Sequence, residues 1–236
     1  MSRVLFMVLV FGVFPLASTS AVAQSAVAQS PPTYGERLLQ KALPLEGVDY
    51  DLGGRLQATT ANGKRTQRGT DCQGVLFYAF ERLTGCGWRS YSVMPTKTAK
   101  NGELGKPVPG LTPVATGDLP HKLTQLQKGD VVFLLSSVEN PAEPSLVDVN
   151  GEAQWVWHTA FYAGADPKGG RIFHADVFTG EVRFDVLVPY LTAHDYSGIY
   201  VLRPSAQSRP RRCRRRKMPA PKGSSTAFSS RAVPKP

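Results

Sequence analysis

Helical periodicity occupies the front of this chain and strand-like runs the back, and that order restricts the fold more than any other feature. Residues 34–43 place Leu38, Leu39 and Leu43 on one side of an amphipathic helix that Pro44 closes. Residues 71–84 place Val75, Leu76, Ala79, Phe80 and Leu83 on one face, with Asp71 as N-cap and Thr84-Gly85 as the stop. A polar stretch bearing Gly and Pro follows over about 88–122. Leu126-Gln127-Lys128-Gly129-Asp130 then turns into Val131-Val132-Phe133-Leu134-Leu135, a run that reads as a buried strand. Residues 138–153 are rich in acids and Pro and read as a surface insertion. Further strands are expected at 154–163, 170–177, 181–187 and 198–202, with turn residues between them. Helices first and strands afterwards predict an α+β domain with a mostly antiparallel sheet.

The two ends of the chain do not belong to that domain. Arg3, the apolar run from Val4 to Leu16 and Ala21-Val22-Ala23 have the form of a signal peptide over residues 1–23. The pentad Ala-Val-Ala-Gln-Ser recurs at 26–30, so Ala28 is a second candidate cleavage site. A membrane anchor is the other reading, but the apolar run is short of the ~20 residues that span a bilayer. Export with cleavage is expected, leaving a soluble protein of the periplasm, envelope or medium with no transmembrane anchor. Residues 24–33 form a linker, 34–203 the domain and 204–236 a Pro-, Ser- and Arg-rich tail expected to be disordered.

Net charge is +10, yet it is unevenly spread. Eleven of the 28 Lys and Arg lie at Arg203 or beyond, where there is no acid, which leaves 17 basic against 18 acidic residues before it. The domain is close to neutral, so the basic total is not a nucleic-acid signature, and no nucleic-acid partner is expected. An anionic envelope polymer is the partner the tail suits.

Three cysteines are an odd count for an exported chain. Cys72 and Cys86 stand about 21 Å apart along a helix, by the 1.5 Å rise per residue. A disulfide needs α-carbons within about 7 Å. Cys72 is therefore expected to be free, Cys86 to be a packed thiol and Cys213 to be exposed in the tail. Cys72 falls in the first helical turn, where backbone N–H groups and the helix dipole favour an anion, so a lowered thiol pKa is expected.

Two histidines complete a candidate nucleophilic set. His158 and His174 lie in strand-like runs joined by a hairpin-length loop around Asp166. An index sum near 332 makes them direct cross-strand neighbours, and a two-residue slip makes them diagonal; either register keeps them on one face. A thiol, a base and a group orienting that base suffice for nucleophilic catalysis. A zinc site from Cys72, His158, His174 and Asp176 is the competing reading, but the chain has no C-x-x-C or H-x-x-x-H pair, and no metal or cofactor is expected.

Five motifs in order now resemble the NlpC-type cysteine peptidases, bacterial cell-wall hydrolases with a papain-like fold. They are Tyr50-Asp51-Leu52-Gly53-Gly54, Asp71-Cys72-Gln73-Gly74, Leu126-Gln127-Lys128-Gly129-Asp130-Val131-Val132-Phe133, His158-Thr159-Ala160-Phe161-Tyr162-Ala163-Gly164 and Phe173-His174-Ala175. The resemblance spans about Tyr34 to Leu202. It implies a catalytic helix packed on the sheet, Cys72 as nucleophile, His158 as general base and His174 as its orienting partner. It places Tyr50 beside the nucleophile, and Asp71 and Gln73 with it at the substrate. Gln73 replaces the family's usual serine and Leu52 its usual aromatic, which bears on specificity. The activity implied is hydrolysis of amide bonds in peptidoglycan stem peptides. A non-catalytic envelope-binding protein, and an acyltransferase or amidase using the same residues, are the alternatives.

Overall fold

The computed structural model describes residues 30–55, 59–61, 64–66, 69–210 and 213. The expected signal peptide and most of the basic tail lie outside them. The elements are α1 Tyr34–Ala42, β1 Thr59–Ala61, β2 Lys64–Thr66, α2 Cys72–Thr84, α3 Pro95–Lys100, β3 Lys106–Pro107, β4 Val114–Ala115, β5 Val131–Ser136, β6 Val147–Val149, β7 Glu152–Gly164, β8 Arg171–Asp176, β9 Glu181–Val186, α4 Leu187–Ala193 and β10 Gly198–Arg203. Strands β1 and β2 form a separate hairpin. The other eight make one antiparallel sheet of main order β3-β10-β5-β7-β8-β9, with β4 added on β10 and β6 on β7. This is the α+β arrangement expected, with the catalytic-candidate helix packed on an antiparallel sheet.

Side-chain alternation divides the sheet's interior into two cores. Phe133, Leu135, Phe161, Phe173 and Ala175 point to one side, where Leu38 and Leu39 of α1 and Val75, Leu76 and Phe80 of α2 cover them. Val132, Leu134, Ala160, Tyr162 and Ile172 point to the other, against Leu187, Tyr190 and Leu191 of α4. Burial on both faces is why 131–135 is an uninterrupted apolar run rather than an alternating one. The Phe, Leu, Val and Ile side chains among these are all covered, a contribution of about 1.5–3 kcal/mol apiece before the entropy of ordering is counted.

The helices start and stop where their caps direct. Asp71 accepts from the Gly74 amide at 2.6 Å, and Gly85 ends α2 in the left-handed region at φ 69°. Thr33 and Glu36 close a reciprocal capping box on α1, a Thr-x-x-Glu spacing that the periodicity argument passed over.

Several expectations are corrected. Leu43 is exposed, because the chain tightens into a 3₁₀ turn at Leu43–Leu45 and Leu45 takes the buried place. The 88–122 stretch holds α3 and two short strands that only pairing with β10 defines. The insertion at 138–153 ends in β6, which pairs back on β7. Residues 187–193 form a helix, since Pro189 sits in the first turn, where no amide donor is missed, and Leu187, Tyr190 and Leu191 share one face. The tail does not begin at 204 either. Ser205 and Ser208 close a turn, Ser208 is buried, and Cys213 is disulfide-bonded to Cys86 across a Cα–Cα distance of 6.1 Å. A bridge over a sequence separation of 127 leaves no local signature in the sequence. Among the described residues, no helix is long and apolar enough to cross a membrane.

Candidate active site

The start of α2 is held from three directions. The Asp71 carboxylate caps the helix at Gly74, accepts from the Gly53 amide at 3.0 Å and pairs with Arg55. Arg55 also donates to Gln73 Oε1 at 3.1 Å and to Gly54 O at 2.8 Å, with its guanidinium 5.6 Å over the Phe77 ring. A buried carboxylate of this kind needs a fully bonded counterion, which Arg55 provides. Gly74 is required by close approach: a Cβ there would lie 2.2 Å from Thr70 Oγ1 and 2.6 Å from Gly54 O. The Gly-Gly-Arg segment and the Asp-Cys-Gln-Gly segment thus form one unit. Asp71 and Gln73 are both buried in it, and the Gln73 Nε2 has no partner among the described residues.

Cys72 is a free thiol, partly open to solvent. Its sulfur is nevertheless closely surrounded, and burial pushes the thiol up to about 11, with the Asp71 carboxylate adding to the rise. The amides of Thr159 and Gln73 act in the opposite sense. The Thr159 hydroxyl stands beside the sulfur, short of full hydrogen-bond geometry, and has no other partner among the described residues. The expectation of a lowered pKa is therefore corrected: loss of solvation, with the neighbouring Asp71 carboxylate, pushes the thiol up. Tyr50 lies close by, as the resemblance implies. Burial pushes its phenol up to about 12, and Cys72 and Asp71 add to the shift.

The two histidines meet. His158 Nε2 and His174 Nδ1 are 2.6 Å apart, with the rings near-perpendicular. The register of β7 and β8 pairs Phe161 with Phe173 and Tyr162 with Ile172. That is an index sum of 334, so the histidines are diagonal neighbours on one face, the two-residue slip of the sequence argument. Both are buried, and burial together with the neighbouring His174 holds the His158 imidazole well below its usual pKa. The shift favours the neutral form of His158. Tyr190 stands 4.8 Å from His174 and 6.0 Å from His158, and Tyr196 lies 6.5 Å from His158. On the far side, His174 Nε2 is 3.1 Å from Asp185 Oδ2.

Helix and histidines approach β7 from opposite sides. α2 packs on the face of Phe161 and Phe173, while His158 and His174 share the face of Ala160 and Ile172. A thiol on the histidine face itself would require the helix start to lie over Ala160 and Ile172. Instead Cys72 arrives at Thr159, the residue next to His158, where a register shift between Leu134 and Leu135 bends the strand pair. Tyr196 joins the two sides: its ring is near His158, and its phenol is raised by burial and by the Cys72 charge. Among the described residues, no hydrogen bond links the Cys72 sulfur to either imidazole.

The donor set does not suit zinc. Two nitrogens on one zinc at about 2.0–2.1 Å each would stand more than 3 Å apart, whereas these two are bonded to each other. Asp176 is saturated, accepting from Thr179 Oγ1 and N, Tyr190 Oη and the Phe178 amide. Burial opposes its ionisation, but these bonds hold the carboxyl below its usual range.

Sequence reasoning missed Arg55, Thr159, Tyr190, Tyr196 and Asp185. Thr159 follows His158 inside one of the motifs quoted, and Arg55 stands directly after the Gly53-Gly54 pair, one residue beyond another. The other three depend on where α4, β9 and the loop before β10 pack, for which no local pattern exists.

No protein-family model and no curated protein matches this sequence. Solved structures are similar at low identity. NlpC1 from Trichomonas vaginalis is 18% identical with a TM-score of 0.45, over 74% of this chain and 45% of that one. The P60 domain of an antigen from M. avium subspecies paratuberculosis is 17% identical with a TM-score of 0.40, over 72% and 93%. An N-acetylmuramoyl-L-alanine amidase from Bacteroides uniformis is 15% identical with a TM-score of 0.45, over 71% and 98%. This chain therefore spans under half of the first and nearly all of the other two.

Proposed function

We propose that this chain is an exported cysteine hydrolase of the NlpC type that cleaves amide bonds in peptidoglycan stem peptides. The observation that carries the reading is the buried His158–His174 pair at 2.6 Å, set one residue along the strand from the site of a free thiol at a helix start.

The raised thiol and the depressed imidazole both favour a resting state of thiol plus neutral base over a preformed ion pair. His158 removes the Cys72 proton as the sulfur attacks the substrate carbonyl. Negative charge develops on the carbonyl oxygen, and the backbone N–H of Cys72, at the positive end of α2, is the donor at hand to stabilise it. His158 then gives its proton to the leaving amine as the C–N bond breaks, leaving a thioester. Water, deprotonated by His158, attacks that thioester; the acid departs and the sulfur regains its proton. No cofactor enters the balance.

Tyr50, beside Cys72, is the side chain placed to touch substrate. Asp71 and Gln73 act behind it by fixing the helix start. Retention at the envelope falls to the basic residues around Cys213, on an anionic wall or surface polymer. Digestion of purified peptidoglycan by the full chain, with products identified by mass spectrometry, tests the reading. New free amino and carboxyl ends within stem peptides support it. A product freed at the sugar–peptide linkage moves it to the amidase alternative. Envelope binding without any product, at unchanged thiol accessibility, favours the non-catalytic one.

A further inference from the structure

The hydrogen-bond line from His158 does not end at His174. His174 Nε2 lies 3.1 Å from Asp185 Oδ2, and the same oxygen is 3.1 Å from Arg183 Nε. The register of β8 and β9 makes this geometry: His174 faces Arg183 and Ile172 faces Asp185, so His174 and Asp185 are diagonal neighbours on one face. We propose that Asp185 is a positioning residue that fixes which nitrogen of His158 is free to act as base.

An ion-paired carboxylate has no hydrogen to give, so His174 Nε2 must be the donor to Asp185. A neutral His174 then carries its lone pair on Nδ1. That lone pair accepts from His158 at 2.6 Å, which requires the proton of His158 to sit on Nε2. The Nδ1 of His158 is left unprotonated, and it is the only nitrogen of that ring not committed to His174. Reversed, the chain would protonate Nδ1 and abolish the base. Asp185 thus selects one of two tautomeric arrangements that the histidine pair alone would populate together. When Nδ1 takes up the thiol proton, the charge is stabilised along the same line, and no proton passes to Asp185. Asp185 is partly exposed at the sheet edge and touches neither the sulfur nor the substrate position, so its effect runs through His174.

The proposal rests on His158 being the base for Cys72, and the experiment separates the two ideas. Imidazole ¹⁵N shifts and two-bond ¹H couplings are recorded on the ¹⁵N-histidine-labelled full chain, alongside kcat and KM for cleavage of soluble peptidoglycan fragments. In the wild type, both His158 and His174 are expected as Nε2–H tautomers. Asp185→Asn, which offers an N–H in place of the charge, is expected to populate the Nδ1–H form of both rings. It is expected to lower kcat about 10–100-fold, the usual cost of losing a supporting partner, with KM changed less than about twofold. Asp185→Glu, which keeps the acceptor, is expected to restore the wild-type tautomers and guard against misfolding of the Asn variant. Wild-type His158 found as the Nδ1–H tautomer, or tautomers indifferent to Asp185→Asn, would overturn the assignment. Correct tautomers in a chain that cleaves no wall fragment would leave the role of Asp185 standing and count against the hydrolase reading.

Discussion

The thiol of Cys72 and the imidazole of His158 have exchanged the roles that an ion-pair mechanism would give them. One is held protonated and the other neutral, both because burial disfavours charge. Two outcomes follow. Isolated from substrate, Cys72 should alkylate with iodoacetamide more slowly at pH 7 than an ordinary thiol of pKa ~8.5, because less of it is thiolate. Labelling rates read by intact mass test this, and faster labelling would point to an ion pair instead. The acid limb of kcat/KM should lie below pH 6.5: His158 must be deprotonated to act, and its lowered pKa keeps it so to lower pH than a free imidazole. A limb at or above 6.5 would contradict the assignment. His158→Ala should remove activity nearly as completely as Cys72→Ala, since such groups act as a unit, and His174→Ala should cost less. The meeting of His158 with His174 was legible because each is a polar side chain inside an apolar, strand-like run. The charge state of Cys72 was not, because a helix-start position says nothing about how densely the sulfur is enclosed.

At the scale of elements, the site depends on two close approaches. The α2 start sits directly on the Gly53-Gly54-Arg55 turn, with no room for a side chain at Gly74. Gly74→Ala should therefore lower stability by about 1–3 kcal/mol and displace Cys72. The drop would be read in urea unfolding, and a stability within 0.5 kcal/mol of wild type, on the order of a neutral surface change, would count against this packing. The strand pattern predicted the antiparallel sheet, the facing histidines and even the alternative register that the structure adopts. It did not show which side of β7 the helix takes. Thr159 and His158 point to opposite faces, and both faces are apolar, so periodicity alone could not choose. The helix α4 was hidden by Pro189, which reads as a breaker until its first-turn position is known.

For the molecule as a whole, the Cys86–Cys213 bridge ties Cys213 to the chain just past the C-terminal end of α2. It closes a loop of 127 residues, so an upper estimate of its contribution through the unfolded chain is about 4–5 kcal/mol. Cys213→Ser should lower the urea midpoint under oxidising conditions and make it insensitive to reductant, whereas the wild type should fall to the same midpoint on reduction. The bridge also changes where the tail can be removed. A cut after Leu202 would sever Arg203 from Asp130 and release Cys86, so the informative truncation lies beyond Cys213. That truncation should leave cleavage of soluble fragments unchanged and weaken sedimentation with cell envelopes at low salt, an effect that fades as the Debye length shrinks from ~10 Å at 0.1 M to ~3 Å at 1 M. The most direct test of the whole account is trapping the covalent intermediate. Full-length protein is mixed with soluble stem-peptide fragments, quenched in acid within the first turnovers and digested for mass spectrometry. The account predicts an acyl mass on the peptide containing Cys72, absent from Cys72→Ala together with all cleavage products. Cleavage that continues in Cys72→Ala, or an acyl group found on any other residue, would contradict it.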